Sequence, residues 1–267
     1  MIKAVLTAAG MGTRMLPMTK ETPKEMLPIF LKTKNNYVIL PMLQLIYEQL
    51  YDLKIRNYCF VVGREKRTIK NHFTSNVNFQ NFLAQKNNSL INKFCKKLEN
   101  SNLGWVNQSK PYGFGDAVRQ SEKFVGKDNF LVHGGDVAIL SNGKKNHSLK
   151  TLIKLGNNST ASAILLFRKV SDPKRHGVPT LEKISKERYL VKNVIEKMGT
   201  SKASKISQRV LAGAGIVGVT DFIASPDKRR IPTFFVQPED TSKLSGRKKA
   251  AAMFKNKLKY GAEGAIV

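Results

Sequence analysis

The first residues constrain this chain most. Ala4-Val5-Leu6-Thr7-Ala8-Ala9 is an apolar run that ends in small residues and opens directly into Gly10-Met11-Gly12-Thr13-Arg14. A buried strand hands over to a phosphate-cradling loop in this way, because glycines let the backbone approach an anion and present N–H donors to it. An ordinary strand-to-helix turn has the same spelling, so the residues downstream of Arg14 must decide between the two. Met15 stands where a dinucleotide-binding fingerprint places its third glycine, and no lysine stands in Walker register. Both a P-loop ATPase and a dinucleotide-dependent dehydrogenase are thereby disfavoured.

The next elements extend the pattern. Leu43, Ile46, Tyr47 and Leu50 recur at helical spacing behind Pro41, which suits the first position of a helix. Tyr58-Cys59-Phe60-Val61-Val62 then reads as a strand running to Gly63, so strand, helix and strand come in order. Phe79 to Leu98 is helical in pattern but rich in Asn and Lys, which predicts one or two surface helices. Further strands are expected at Gly104–Gln108, at Asn129–His133 closed by Gly134-Gly135-Asp136, and at Ala161–Phe167. Strands alternating with helices predict an α/β fold, a mixed but mainly parallel central sheet flanked by helices. Beyond this the texture changes, with short strand-like pieces at Tyr189–Val191 and Asn193–Lys197 and then Leu211–Gly218. That region is expected to form a second subregion closing over the first. With no fixed-period repeat and no Pro/Ser/Gly linker, residues 1–267 read as one domain of two lobes, 1–150 and 151–267.

Composition narrows the function classes. A chain of 267 residues with 41% hydrophobic content can bury a sizeable core. It contains no run of the roughly 18 to 20 apolar residues that a membrane span needs, and its start is too short an apolar stretch for a secretory signal. A soluble cytoplasmic protein is therefore expected. Cys59 and Cys95 make neither metal-ligand spacing nor a disulfide framework, and both read as reduced and buried. The 46 Lys and Arg against 19 Asp and Glu give a net charge of +27, which attracts polyanions. Lysines are dispersed, however, and scarcely interleaved with aromatics except near Tyr112 and Phe114. Nucleic acid is thus disfavoured as the main partner, and a small phosphorylated ligand or a basic surface fits as well.

After the loop come Met15-Leu16-Pro17, Thr19-Lys20 and Pro23-Lys24-Glu25-Met26-Leu27-Pro28, in which Arg14 and Lys24 supply positive charge for phosphate oxygens. The stretch from Lys3 to Pro28 resembles the signature of sugar-1-phosphate nucleotidyltransferases, and its Pro-Lys-Glu-Met-Leu-Pro run is similar to that of the prokaryotic UTP–glucose-1-phosphate uridylyltransferases. Further matches come in order: Gly63-Arg64-Glu65-Lys66-Arg67 with Ile69 and His72-Phe73, then Gln108 with Pro111 to Val118. They continue through His176-Gly177-Val178, Val194-Ile195-Glu196-Lys197 and Ala214 to Gly218, so the resemblance covers most of the chain.

The resemblance implies a Rossmann-like nucleotidyltransferase fold and a reaction in which UTP and glucose 1-phosphate give UDP-glucose and pyrophosphate with Mg²⁺. It places Ala8, Ala9, Gly10, Gly12 and Thr13 on the nucleotide, Gln108 and Gly113 on the uracil edge, and Asp136 on the metal. It also gives Glu196 to the sugar hydroxyls, Lys197 to the sugar phosphate, and Gly177 with Gly213 to Gly215 to the walls around the hexose. The catalytic set is then Arg14, Lys24, Asp136 and Lys197, with lobe 1–150 holding the nucleotide and lobe 151–267 the sugar phosphate. Plainer readings stand beside these. Gln108 also fits a surface residue at a strand end, Asp136 a turn cap, and the glycines simple turns; His176 reads as surface. Adjacent strand residues face opposite ways, so Glu196 and Lys197 share a ligand only if the strand bends, and Met198 stands where relatives commonly have Pro.

Relatives carry a late Asp-x-Gly whose aspartate is a second metal ligand, and no Asp-x-Gly occurs here after Gly218. The C-terminus is therefore expected to be shortened, or another acid among Asp221, Asp227 and Asp240 to substitute. Gly246 to Lys259 is expected to be a basic helix with a solvated or subunit-contact face. A relative using dTTP or another sugar 1-phosphate, and a catalytically weak nucleotide- or polyanion-binding protein, remain alternatives. Homo-oligomerisation is open.

Overall fold

The computed structural model describes residues 2–32, 37–64, 66–74, 89–110, 112–139, 146–157, 163–169, 177–184, 189–196 and 211–219. A six-stranded sheet forms the centre, in the order β5-β4-β1-β6-β10-β7. Its strands are β1 (Lys3–Ala8), β4 (Asn57–Gly63), β5 (Asn102–Gln108), β6 (Phe130–Gly134), β7 (Ala163–Lys169) and β10 (Leu211–Val219). β1, β4, β5 and β6 run parallel, while β10 runs antiparallel to both β6 and β7. The expected mixed, mainly parallel α/β sheet is what forms.

A strand buried on both faces explains the unbroken apolar runs. Alternate residues serve different cores: Ala4, Leu6 and Ala8 face one cluster, while Val5 joins the other with Cys59, Val61 and Val132. The first cluster is capped by α1 (Met42–Asp52), α2 (Arg67–His72), α3 (Ser89–Glu99) and α6 (His147–Asn157), through residues such as Leu43, Ile69, Phe94 and Leu149. The second is closed by α4 (Phe114–Arg119) and α5 (Glu122–Val125), through Ala117, Val118 and Val125. Tyr47 is wholly buried in the larger cluster against the rings of Tyr58, Phe73 and Phe94, and its hydroxyl donates to the Lys97 carbonyl at 2.7 Å. That bond is what allows a phenol to lie so deep. Burial likewise pushes the Cys59 thiol up to about 12, as befits an inert core residue, whereas Cys95 is only half-buried.

Several details differ from the sequence reading. Pro41, the last residue of a strand over Tyr37–Pro41, caps α1 rather than forming its first turn. Residues Pro28–Lys32 (β2) and Tyr37–Pro41 (β3) pair as an antiparallel hairpin, a pattern hidden because both read as short unalternating apolar runs. Tyr189–Glu196 forms one strand, β9, which pairs with β8 (Gly177–Lys183) in a separate two-stranded sheet. Leu211–Gly218, read as part of a subregion closing over the first, is instead an internal strand of the central sheet. It pairs with β6 on one side and β7 on the other. Lys197, His176, Asp221, Asp227, Asp240 and the segment 246–259 lie outside the described residues. Among the described residues, no helix is long and apolar enough to cross a membrane.

One buried polar group has a measurable consequence. His133 of β6 is fully buried on the face of the larger core, its Nδ1 hydrogen-bonded to the Gly134 carbonyl at 2.7 Å. Burial pushes its pKa down to about 4 from 6.5. The unfolded chain therefore binds the proton first as pH falls, and stability drops between about pH 6.5 and 4, by roughly 3 kcal/mol from this group. Urea midpoints across that range should show the drop, and His133→Leu should remove most of it, with His72, which burial also depresses, adding a smaller drop of the same sign.

Candidate active site

The carboxyl ends of parallel strands carry the candidate residues. In order across the sheet, β5 ends at Gln108, β4 at Gly63, β1 at Ala8, and β6 at Gly134 with Asp136 two residues on. Strand neighbours lie about 4.8 Å apart, so β5 to β6 spans about 14 Å, room for a base at one end and phosphates at the other. Gly63 is pressed against β1, and a Cβ there would meet the Ala9 carbonyl at 3.2 Å. β10 continues the row: Ile216 pairs with His133, so Gly213 to Gly215 lie alongside the end of β6. The ladder between β10 and β7 shifts register between Gly213 and Val217, which includes Gly215. Gly177 pairs with Glu196 across the β8–β9 hairpin, and β8 packs against β10. Two residues expected to meet the sugar are thus brought together, although 19 positions separate them.

The loop after β1 is held by a residue that the sequence reading did not single out. Gly12 has a left-handed φ of 69° and begins a 3₁₀ turn, Thr13–Met15. A Cβ on Gly12 would meet the buried Thr19 side chain at 3.1 Å, and the Thr19 hydroxyl donates to the Gly12 carbonyl at 2.7 Å. Thr19 thereby closes the loop, leaving Gly10, Thr13 and Arg14 exposed on its outer side. The same side is where an anion has access.

Lys24 is the link between the loop and β6. Its Nζ would lie 3.2 Å from a Cβ on Gly10 and pairs with the Asp136 carboxylate at 2.5 Å. A cation and a carboxylate therefore sit side by side against the loop backbone. The Asp136 side chain is 40% exposed, so its oxygens can take a ligand. Mg²⁺ is bound by one or two carboxylates together with substrate phosphates and waters, and Asp136 beside a phosphate loop fits that donor set.

Beneath this pair lies a second one. Glu25 is 1% exposed, and both of its oxygens accept from Lys66 Nζ, at 2.9 and 2.7 Å. Burial raises the Glu25 pKa and lowers that of Lys66, each against the attraction of its partner. The sequence showed only two ordinary charges in separate matched segments. Gly135 closes the packing: a Cβ there would meet the Thr7 carbonyl at 3.0 Å and Glu25 Cγ at 3.1 Å, and its N–H donates to Thr7 at 2.8 Å. Glycine is needed at 135 by close approach, and Asp136 is aimed by it.

At the other end, Gln108 is buried rather than a surface residue at a strand end. Its Nε2 donates to the Gly113 carbonyl at 3.1 Å and to Asp116 at 2.7 Å. Gly113 precedes α4 with φ of 107°, a conformation open to glycine, and among the described residues nothing lies within 4 Å of where its Cβ would be. Among the described residues, space is left at Gly113, next to the Gln108 amide that donates to its carbonyl.

The chain matches the nucleotidyl transferase family over residues 3–216. A protein of Methanocaldococcus jannaschii named as a UTP–glucose-1-phosphate uridylyltransferase is 34% identical over 214 residues, covering 79% of this chain and 70% of its own. A UTP–glucose-1-phosphate uridylyltransferase of Streptococcus pyogenes is 36% identical over 167 residues, 62% of this chain and 52% of its own. This chain thus spans about half the length of the streptococcal relative. Among solved structures, a UDP-glucose pyrophosphorylase complexed with UDP-glucose superposes with a TM-score of 0.70 at 26% identity, over 99% of this chain and 92% of that one. A glycine-rich loop after β1, an acid after β6 and a recessed amide at the end of β5 on one sheet edge accompany these matches, and the chain belongs to the nucleotidyl transferase family.

Proposed function

We propose that this protein transfers a uridylyl group from UTP to glucose 1-phosphate, releasing pyrophosphate and forming UDP-glucose. The observation that carries the reading is the row of groups along the sheet edge, with the Gln108 amide and Gly113 at one end and the Lys24–Asp136 pair at the other. The relatives named for the same reaction support it.

In this reading the nucleotide lies across the strand ends. Gly10, Gly12 and Thr13 meet the triphosphate through the loop backbone, with Ala8 and Ala9 beneath it. A sugar-phosphate oxygen attacks the α-phosphorus in line as pyrophosphate leaves, without a covalent intermediate on the protein. A sugar phosphate is already ionised near neutral pH, so the chain need supply no general base. Arg14 and Lys24 neutralise charge on the departing pyrophosphate, and Asp136 would hold the metal. Mg²⁺, when bound, supplies a fixed positive charge on the phosphate oxygens. Gly177, Glu196, Lys197 and Gly215 are assigned to the sugar phosphate, the first two on the β8–β9 hairpin and Gly215 on β10 of the central sheet. The reaction is placed in the cytoplasm, and homo-oligomerisation is kept as an expectation.

The test is product formation by this chain with UTP, dTTP, CTP, GTP and ATP, each paired with glucose 1-phosphate and with other hexose 1-phosphates, resolved by chromatography. UDP-glucose should be the dominant product. Preferential formation of a dTDP-sugar, or of another UDP-sugar, would reassign base or sugar while leaving the reaction type intact.

A further inference from the structure

We infer that Asp116 is a specificity-determining positioning residue, which locks the Gln108 amide so that its oxygen, and not its nitrogen, is offered to the base. The inference rests on the uridylyl reading above and deepens it.

A glutamine amide can present either end, and only its hydrogen-bond network decides which. Here the network is one-sided. Gln108 Nε2 has two hydrogens and two acceptors, the Asp116 carboxylate at 2.7 Å and the Gly113 carbonyl at 3.1 Å. A flipped amide would set its oxygen against both acceptors, so the flip is excluded. Asp116 is itself fixed: it is 6% exposed on the first turn of α4, and its other oxygen accepts from Gln120 Nε2 at 3.2 Å. A carboxylate there is also favoured by the N-terminal end of the helix.

With both hydrogens engaged, Oε1 is the group that Gln108 has left to offer, and it only accepts. Uracil presents an N3–H donor between two carbonyls, while cytosine presents a bare N3 acceptor. An acceptor held in place therefore favours uracil and meets cytosine with two facing lone pairs. Sites built to pair one polar edge discriminate strongly, because the wrong partner leaves buried groups unpaired. Gln108 reads the base, and Asp116, which touches no substrate, sets what Gln108 reads.

The test is the ratio of kcat/KM for UTP to that for CTP, with glucose 1-phosphate, in the wild-type chain and in Asp116→Ala, Asp116→Ser and Asp116→Asn. In Asp116→Ala the amide is tethered to Gly113 alone and can turn over. The ratio should fall at least about tenfold, through a higher KM for UTP with kcat little changed and a gain for CTP. Asp116→Ser, too short to reach Gln108, should behave alike, and serves if the alanine variant does not fold. Asp116→Asn still offers an oxygen to Gln108 while the exposed Gln120 turns its amide, so its ratio should stay within about threefold of wild type. A merely structural role would lower both substrates together. An unchanged ratio in folded Asp116→Ala or Asp116→Ser overturns the assignment to Asp116. A wild-type chain that prefers a nucleotide other than UTP overturns the uridylyl reading itself, a different outcome.

Discussion

Lys24→Ala is expected to lower kcat for uridylyl transfer by about 10²- to 10³-fold, the usual cost of removing one preorganised charge from a developing anion. The lysine is placed for this with little freedom, between the Gly10 backbone and the Asp136 carboxylate. In the proposed reaction, incoming phosphate oxygens would compete with Asp136 for the ammonium, which would free the aspartate for a cation. The loss should therefore fall on kcat more than on the KM for UTP. Steady-state kinetics across both substrates will decide it, and a kcat within threefold of wild type would remove Lys24 from the catalytic set.

Glu25→Ala is expected to have the largest effect on stability, about 3 to 5 kcal/mol, because it leaves the Lys66 ammonium buried without its partner. For a chain of this size that is a fall in Tm of roughly 10 °C. The pair itself is a weak source of stability, since burial opposes the charge on both members. Glu25→Leu combined with Lys66→Met should accordingly recover most of the lost stability. It should not recover activity, because Glu25 adjoins Lys24 in the chain and packs against Gly135, next to Asp136. Thermal melts and turnover on the three proteins separate these roles. A double variant as unstable as Glu25→Ala would mean that the ion pair, rather than the lone charge, matters to folding.

Much of this was legible in the residues. β1, β4, β5 and β6 announced themselves as apolar runs closed by glycine or a polar stop, since strands covered on both faces need no alternation. The glycine loop was singled out because it follows such a run directly, whereas Gln108 and Asp136 were singled out by the family resemblance. The features that stayed hidden depend on long-range pairing. Glu25 and Lys66 are 41 positions apart and look like any surface charges until the β4–α2 turn brings them together. Thr19 and Asp116 act through single hydrogen bonds to Gly12 and Gln108, which leave no periodic trace. β10 was misplaced for the same reason: Leu211–Gly218 was read as part of a second subregion, and only its ladder to His133 and Val132 places it in the central sheet.

The most direct test of the central claim is pyrophosphate release from UTP and glucose 1-phosphate by this chain and by Asp136→Asn, with and without added Mg²⁺. The account predicts turnover by the wild-type chain that requires the cation and falls at least about a hundredfold in the variant. Turnover in folded Asp136→Asn close to wild type, or a folded wild-type chain that binds UTP and releases no pyrophosphate, would contradict it.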